Sequence, residues 1–142
     1  MKVVLAGAFG KLGTDILRQL AAQGHTVLAA DLAVREVPGL AGKYEARAID
    51  VTKPERLRGL CDGAYAVITT VGLTGSSATI TNYDIDYQGN VNLLREAQRA
   101  GVKHFTYISV IKADSDPKVT MLHAKAMFEE ELKKSGIPYV IH

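Results

Sequence analysis

Short β-branched apolar runs alternate along this chain with longer amphipathic segments. Lys2 to Ala6 is the first such run and predicts a strand. Leu12, Ile16 and Leu20 then recur every fourth residue, which places them on one helix face, and Gly24 supplies a left-handed terminator. Thr26 to Asp31 predicts a second strand, and a loop carrying Pro38, Gly39 and Gly42 leads to a third at 44–50. Thr52-Lys53-Pro54-Glu55 has the form of a capping box with proline in the first turn, so a short helix reaching Cys61 is expected. Strand four is expected at 65–71. After a small, polar loop at 72–77, Tyr87, Val91 and Leu94 give an apolar stripe to one long helix over 81–100, stopped by Gly101. Strand five is expected at 104–110. Asp116 and Pro117 read as a cap and first-turn proline for a helix carrying Met121, Leu122, Phe128 and Leu132, closed by Gly136-Ile137-Pro138, after which Tyr139 to Ile141 begins a sixth strand.

Strict alternation of strand and helix, with strands apolar on both faces, predicts an α/β fold in which helices cover both sides of a parallel sheet. Right-handed crossovers make this a three-layer, doubly wound Rossmann sheet of strand order 3-2-1-4-5-6. No linker, repeat or low-complexity tract interrupts it, so residues 1–142 are read as one domain.

Composition narrows the function. Seventeen Lys and Arg against fifteen Asp and Glu leave a net charge of +2, too weak a bias for a nucleic-acid partner. One cysteine, Cys61, cannot form an intrachain disulfide, which makes the cytoplasm the default compartment. Gly7, Gly10 and Lys11 interrupt the N-terminal apolar run, and no stretch reaches the roughly 18 apolar residues of a membrane span. Neither a signal peptide nor a membrane partner is expected. His25, His104, His123 and His142 are scattered without ligand spacing, so no metal is expected either.

The candidate chemistry lies after the first strand. Gly7-Ala8-Phe9-Gly10-Lys11-Leu12-Gly13 is a G-x-x-G-x-x-G run between a predicted strand and a predicted helix, the context in which such a run reads as a dinucleotide fingerprint. Gly7 permits the sharp turn, Gly10 lets the backbone approach a pyrophosphate, and Gly13 lets the helix lie against the sheet. The expected cradle is the main chain through Phe9, Gly10, Lys11 and Leu12, where unpaired amides and the helix dipole favour an anion. Asp31 ends the second strand 24 residues after Gly7, where a carboxylate meets the adenosine ribose. Its charged hydrogen bonds to the 2′- and 3′-hydroxyls are worth about 1.5–3 kcal/mol. A 2′-phosphate would meet like charge there, so NAD(H) is the preferred cofactor. Lys11 and Arg35, within reach of an extra phosphate, keep NADP(H) admissible.

With these residues in view, the chain resembles the short-chain dehydrogenase/reductase superfamily, in its extended and atypical branches of NAD-dependent epimerase/dehydratase and NmrA-like proteins. Four blocks carry the likeness over nearly the whole chain: Gly7 to Gly13, Asp50-Val51-Thr52, Asp86 to Leu94, and His123-Ala124-Lys125 through Ile141. The resemblance implies that Asp50 and the backbone of Val51 contact the adenine amino group, and that Thr70, Val71 and Gly72 pass beside the ribose nearer the nicotinamide. It implies a small-molecule substrate, a carbonyl or hydroxyl compound, whose identity these residues do not reveal. It further implies a homodimer through the helices at 81–100 and 117–135, and a substrate-binding region beyond the sixth strand. The end at Ile141-His142 therefore reads as that of a fragment or a truncated chain.

The family's catalytic pair is a tyrosine four residues before a lysine whose charge lowers the tyrosine pKa. Lys125 matches the lysine, but Met121 stands at the tyrosine position and carries no proton. Some NmrA-like reductases work with the lysine alone, so Lys125 is a candidate ribose clamp or general base. Ser109 falls slightly before the usual serine position, near Ile111, and reads as a strand-end residue. His123 lies about 200° around the helix from Lys125 and reads as a surface or packing residue. Tyr83 and Tyr87 either edge the nicotinamide pocket or pack in the core, the second being the simpler reading. Three functions remain: the cofactor half of an oxidoreductase, epimerase or dehydratase; a redox sensor that binds the dinucleotide without turnover; or a domain that serves assembly, its nucleotide site vestigial.

Overall fold

A computed structural model of the chain describes residues 1–73, 79–109 and 118–142, with the side chains of Lys118 and Val119 left aside. Six strands form one parallel sheet in the order β3-β2-β1-β4-β5-β6, as the alternation predicted. They are β1 (Lys2–Ala6), β2 (Thr26–Asp31), β3 (Glu45–Ala48), β4 (Ala66–Thr69), β5 (His104–Tyr107) and β6 (Tyr139–Ile141). The central strand β1 sets the register, with Val3 beside Val27 of β2 and Ala66 of β4.

Successive side chains of β1 feed opposite faces, which is why this strand is apolar throughout. Val3 and Leu5 join Leu17 and Leu20 of α1 (Lys11–Ala22) on one side. Val4 and Ala6 join Leu93 and Leu94 of α2 (Asn90–Ala100) and Phe128 and Leu132 of α3 (Lys118–Lys134) on the other. The α1 stripe centres on Leu17, fully buried, whereas Leu12 and Ile16 are half-exposed; the fourfold spacing pointed to the border of the buried face. Buried on both faces describes only the inner strands. β3, sequence Glu-Ala-Arg-Ala, is exposed at all four positions, and Tyr139 and Val140 of β6 are exposed too, as edge strands with one neighbour allow.

Several predicted elements differ. The helix expected up to Cys61 is a single 3-10 turn, Pro54–Arg56, because the Thr52 hydroxyl and amide both donate to Asp50 Oδ1 (2.6 and 3.0 Å) rather than forming a box with Glu55. The long helix at 81–100 divides into a π-helical segment, Tyr83–Gly89, and α2. Two tyrosines, two aspartates, an isoleucine and a glycine give that segment little intrinsic α preference, so its contacts decide its winding. Strands four and five are shorter than predicted, and Val110, Asp116 and Pro117 lie outside the described residues. Gly101, at φ 72°, closes α2 as expected.

On the far side of the sheet from α1, the buried Glu96 of α2 ties down the loop before β4. Its Oε2 accepts the Cys61 amide (2.8 Å) and its Oε1 the Arg99 Nε (2.7 Å). Burial alone would raise its pKa, but the Arg99 hydrogen bonds and the Cys61 and Gly59 amides outweigh that and hold it below the usual value. Burial, with Glu96 adding to it, pushes the neighbouring Cys61 thiol up to about 12.

Candidate functional site

The carboxyl ends of β1, β2 and β4 open onto one cleft of about 470 Å³. Eight of the residues assigned from sequence line it: Gly7, Gly10, Asp31, Asp50, Val51, Thr70, Val71 and Gly72. It sits where strand order reverses on either side of β1, the crevice in which open α/β sheets take their ligands.

The three loop glycines answer to different neighbours. Gly7 has φ +78°, and a Cβ there would stand 2.3 Å from Thr70 Oγ1. At Gly13 a Cβ would lie 2.0 Å from the Gly7 carbonyl oxygen and 2.8 Å from Ala8 C, so this glycine is demanded by the helix closing on its own loop. Gly10 is unlike both. Its φ is −77°, and its nearest neighbour to an added Cβ is the Gly7 oxygen at 3.6 Å, an ordinary contact. Among the described residues nothing requires glycine at position 10. The space a side chain would fill is part of the cleft, which fits a ligand that must approach the backbone there.

Gly10 is also the N-cap of α1, without a side-chain cap, and the first amide to enter the helical ladder is that of Thr14, donating to the Gly10 carbonyl (2.9 Å). The amides of Lys11, Leu12 and Gly13 therefore precede the ladder and have no intrahelical carbonyl to bond; none of the three residues lines the main cleft, and Lys11 lines the adjoining groove. Phe9 plays another part: it is buried against Tyr44, and its amide donates to Asp31 Oδ2 (3.0 Å). Asp31 Oδ1 accepts the Leu32 amide (2.7 Å), so each oxygen holds one backbone donor and keeps lone pairs toward the cleft. Arg35 donates to the Phe9 carbonyl and lines both this cleft and an adjoining groove of about 390 Å³, where Lys11 and Arg18 also lie.

Asp50 lies at the far wall. The Thr52 hydroxyl holds its carboxyl below the usual carboxylate range; slight burial opposes this, while the Thr52 amide, Lys53 and Arg56 reinforce it. Val51 keeps its carbonyl on Asn92 Nδ2 (2.8 Å) and its side chain against Gly89, where a Cβ would be 2.6 Å from Val51 Cγ2.

The third wall, residues 70–73, is held from behind. Thr70 Oγ1 donates toward the Gly7 carbonyl (3.2 Å). Asn90 Nδ2 donates to the Val71 carbonyl (2.9 Å), and the Leu73 amide donates to Asp86 Oδ2 (3.1 Å). Asp86 is fully buried in the π-helical segment, and its Oδ1 accepts Lys125 Nζ at 2.8 Å. Lys125 is 5% exposed and stands behind Gly72 rather than on the cleft surface, its Nζ 5.9 Å from the Tyr107 ring centre. Asp86 and Asn90 are the residues sequence reasoning passed over. Their signal was spacing: 86, 90, 93 and 97 form one helical face, all fully buried, and two of the four are polar.

The remaining candidates lie elsewhere. Met121 is buried at 4% exposure. The Ser109 amide donates to the His142 carbonyl (3.1 Å), and Ile111 is outside the described residues. His123 is exposed, its Nδ1 sharing a 2.8 Å hydrogen bond with the Tyr83 hydroxyl, and Tyr87 packs against the core. Neither tyrosine lines the cleft. Among the described residues no cluster of His, Cys, Asp or Glu could hold a metal ion, and no helix is long and apolar enough to cross a membrane.

A doubly wound sheet with a glycine-lined, side-chain-free cradle at its switch point defines a dinucleotide-binding domain. Residues 7–141 match the NAD(P)H-binding family model, and the chain belongs to that family. Among curated proteins it is 32% identical to the photosystem II assembly factor Ycf39 of a Synechocystis strain, over 99% of this chain and 43% of that protein. It thus spans less than half the length of that relative. Among solved structures it superposes on the oxidoreductase ylbE of Lactococcus lactis with a TM-score of 0.79 at 26% identity, covering 99% of this chain and 67% of the other. It shares its fold with the Bordetella bronchiseptica enzyme WbmG, solved with NAD, at a TM-score of 0.81 and 20% identity over 99% and 52% of the two chains.

Proposed function

We propose that this domain is the cofactor half of an NAD(H)-preferring oxidoreductase or epimerase/dehydratase acting on a small carbonyl or hydroxyl compound. The observation that carries the reading is Gly10, the N-cap of α1 and a lining residue of the cleft, at which no neighbour among the described residues requires glycine. In it, the amides of Lys11, Leu12 and Gly13 receive the pyrophosphate, Asp31 the adenosine ribose, and Asp50 the adenine edge. The nicotinamide half lies along residues 70–72, and the cofactor supplies a hydride acceptor or donor there. Asp31 favours NAD(H) by charge, while Arg35, shared with the basic groove, admits NADP(H). Calorimetric titration tests this: NADH should bind about tenfold or more tightly than NADPH, and tighter NADPH binding would refute the preference.

Two observations favour a second reading, a dinucleotide sensor without turnover. Met121 occupies the tyrosine position and Lys125 is engaged with Asp86. The assembly-factor name of Ycf39 is in keeping with it, as the oxidoreductase name of ylbE is with the first. NADH consumption with quinones, aldehydes and sugar nucleotides separates them: sustained turnover supports the enzyme, and tight NADH binding without turnover supports the sensor. A homodimer through the faces of residues 81–100, the π-helical segment with α2, and of α3 belongs to either reading, supported by Tyr83 of that segment and Leu122 of α3, exposed at 38% and 49%. The lone, buried Cys61 suits a reducing compartment such as the cytoplasm.

A further inference from the structure

Lys125 and Asp86 form a buried ion pair directly behind the cleft wall. Such pairs are costly to bury, because two desolvated charges regain little more than they lose unless their other hydrogen-bonding positions are filled. Asp86 fills its own: Oδ1 holds Lys125 Nζ (2.8 Å), and Oδ2 holds both the Leu73 amide (3.1 Å) and Asn82 Nδ2 (2.8 Å). The wall is thereby fixed to the π-helical segment, a winding that recurs at functional sites. One turn on, Asn90 holds the Val71 carbonyl and accepts the Thr69 hydroxyl (2.9 Å), while Thr69 Oγ1 in turn accepts the Val71 amide (3.1 Å). Gly72 lies between cleft and pair, and a Cβ on it would come within 2.9 Å of Asp86 Oδ1 and 3.6 Å of Lys125 Nζ. Unlike Gly7, it has no positive φ to explain the glycine. The close approach of the ion pair does.

We infer that Asp86 is a positioning residue for the nicotinamide half of the cofactor: with Lys125 as its counter-ion it sets the course of residues 71–73, and Lys125 acts through this wall rather than by touching the ribose. The inference rests on the dinucleotide reading above. It makes the two halves of the cleft separable, because the adenosine half hangs on Gly7 to Gly13, Asp31 and Asp50, none of which touches the pair.

The test compares NADH with AMP, which carries only the adenosine end, by calorimetry on the full chain. Asp86→Asn should weaken NADH binding on the order of tenfold and change AMP binding by less than about twofold. Gly72→Ala, whose methyl group would push on the pair, should show the same selectivity. The double variant Asp86→Asn with Lys125→Met, which removes both charges, should recover NADH affinity to within about threefold of the parent, and it keeps the test usable if a single variant fails to fold. Parallel loss of NADH and AMP in Asp86→Asn would reduce Asp86 to a fold-stabilising role and overturn the inference. So would a double variant that binds AMP normally but NADH no better than Lys125→Met alone, since Lys125 would then contact the cofactor directly. A parent chain that binds neither ligand would refute the dinucleotide reading itself, and is recognised before any variant is made.

Discussion

The two ends of the cleft are built in opposite ways. The end proposed for adenosine is local: a strand, a four-residue loop and the first turn of a helix, joined to the tip of β2 by the Phe9 amide on Asp31. The groups proposed to recognise a ligand there are the main-chain amides at the start of α1 with the Asp31 and Asp50 carboxylates. The end proposed for the nicotinamide is assembled from distant segments, with residues 71–73 pinned by Asp86 and Asn90 and backed by Lys125 of α3. Its positioning groups are buried side chains, each needing a partner. A backbone cradle tolerates loss of side chains but not their gain, whereas a buried polar wall tolerates neither loss nor imbalance.

Substitutions that unbalance the wall should have the largest effect. Lys125→Met leaves the Asp86 carboxylate buried and one partner short, and should cost about 3–5 kcal/mol in chemical denaturation, most of it recovered when Asp86→Asn is added. A cost no greater than that of a surface substitution would break the comparison. At the other end, Gly13→Ala forces a methyl group onto the Gly7 and Ala8 backbone, and should cost about 2–3 kcal/mol by the same measurement. Asp31→Asn should leave stability nearly unchanged and shift the NADH-to-NADPH affinity ratio toward NADPH by about tenfold.

The smallest effect is in acid. Asp50 and Glu96 both have folded-state pKa values below their ordinary 3.8 and 4.5. Their contribution is therefore complete above the ordinary values and is lost as pH falls through the depressed folded ones. Urea midpoints followed from about pH 5 to pH 2 should fall less steeply in Glu96→Gln than in the parent, with Asp50→Asn a weaker version of the same change, because Glu96 is buried and Asp50 is not. An unchanged acid limb in Glu96→Gln would remove the carboxylate from the account.

The same contrast decides how much could be read from the residues alone. Strand order, the glycine loop and Asp31 follow from local pattern: apolar runs of strand length, glycines at fixed spacing, and an acid at the tip of the next strand. Asp86 does not, because its partner is 39 residues away and no short motif joins them. Lys125 was legible as an important lysine, but its engagement with Asp86 was not. The strand β3 was expected, at 44–50, but its exposure was not, since an edge strand is held by one neighbour and need not be apolar. The π-helical segment escaped because its winding is set by Val51 against Gly89 and by Asp86 against the wall, contacts that exist only once the sheet has formed.

Titration of NADH into the parent chain and Gly10→Asp tests the cradle most directly. Aspartate is a favoured helix N-cap, so the variant should fold at least as well as the parent. It also places a carboxylate in the space proposed for the diphosphate. The account predicts saturable binding by the parent, and on the order of a hundredfold weaker binding by a variant with an unchanged melting temperature. Equal affinity in the two proteins would contradict it.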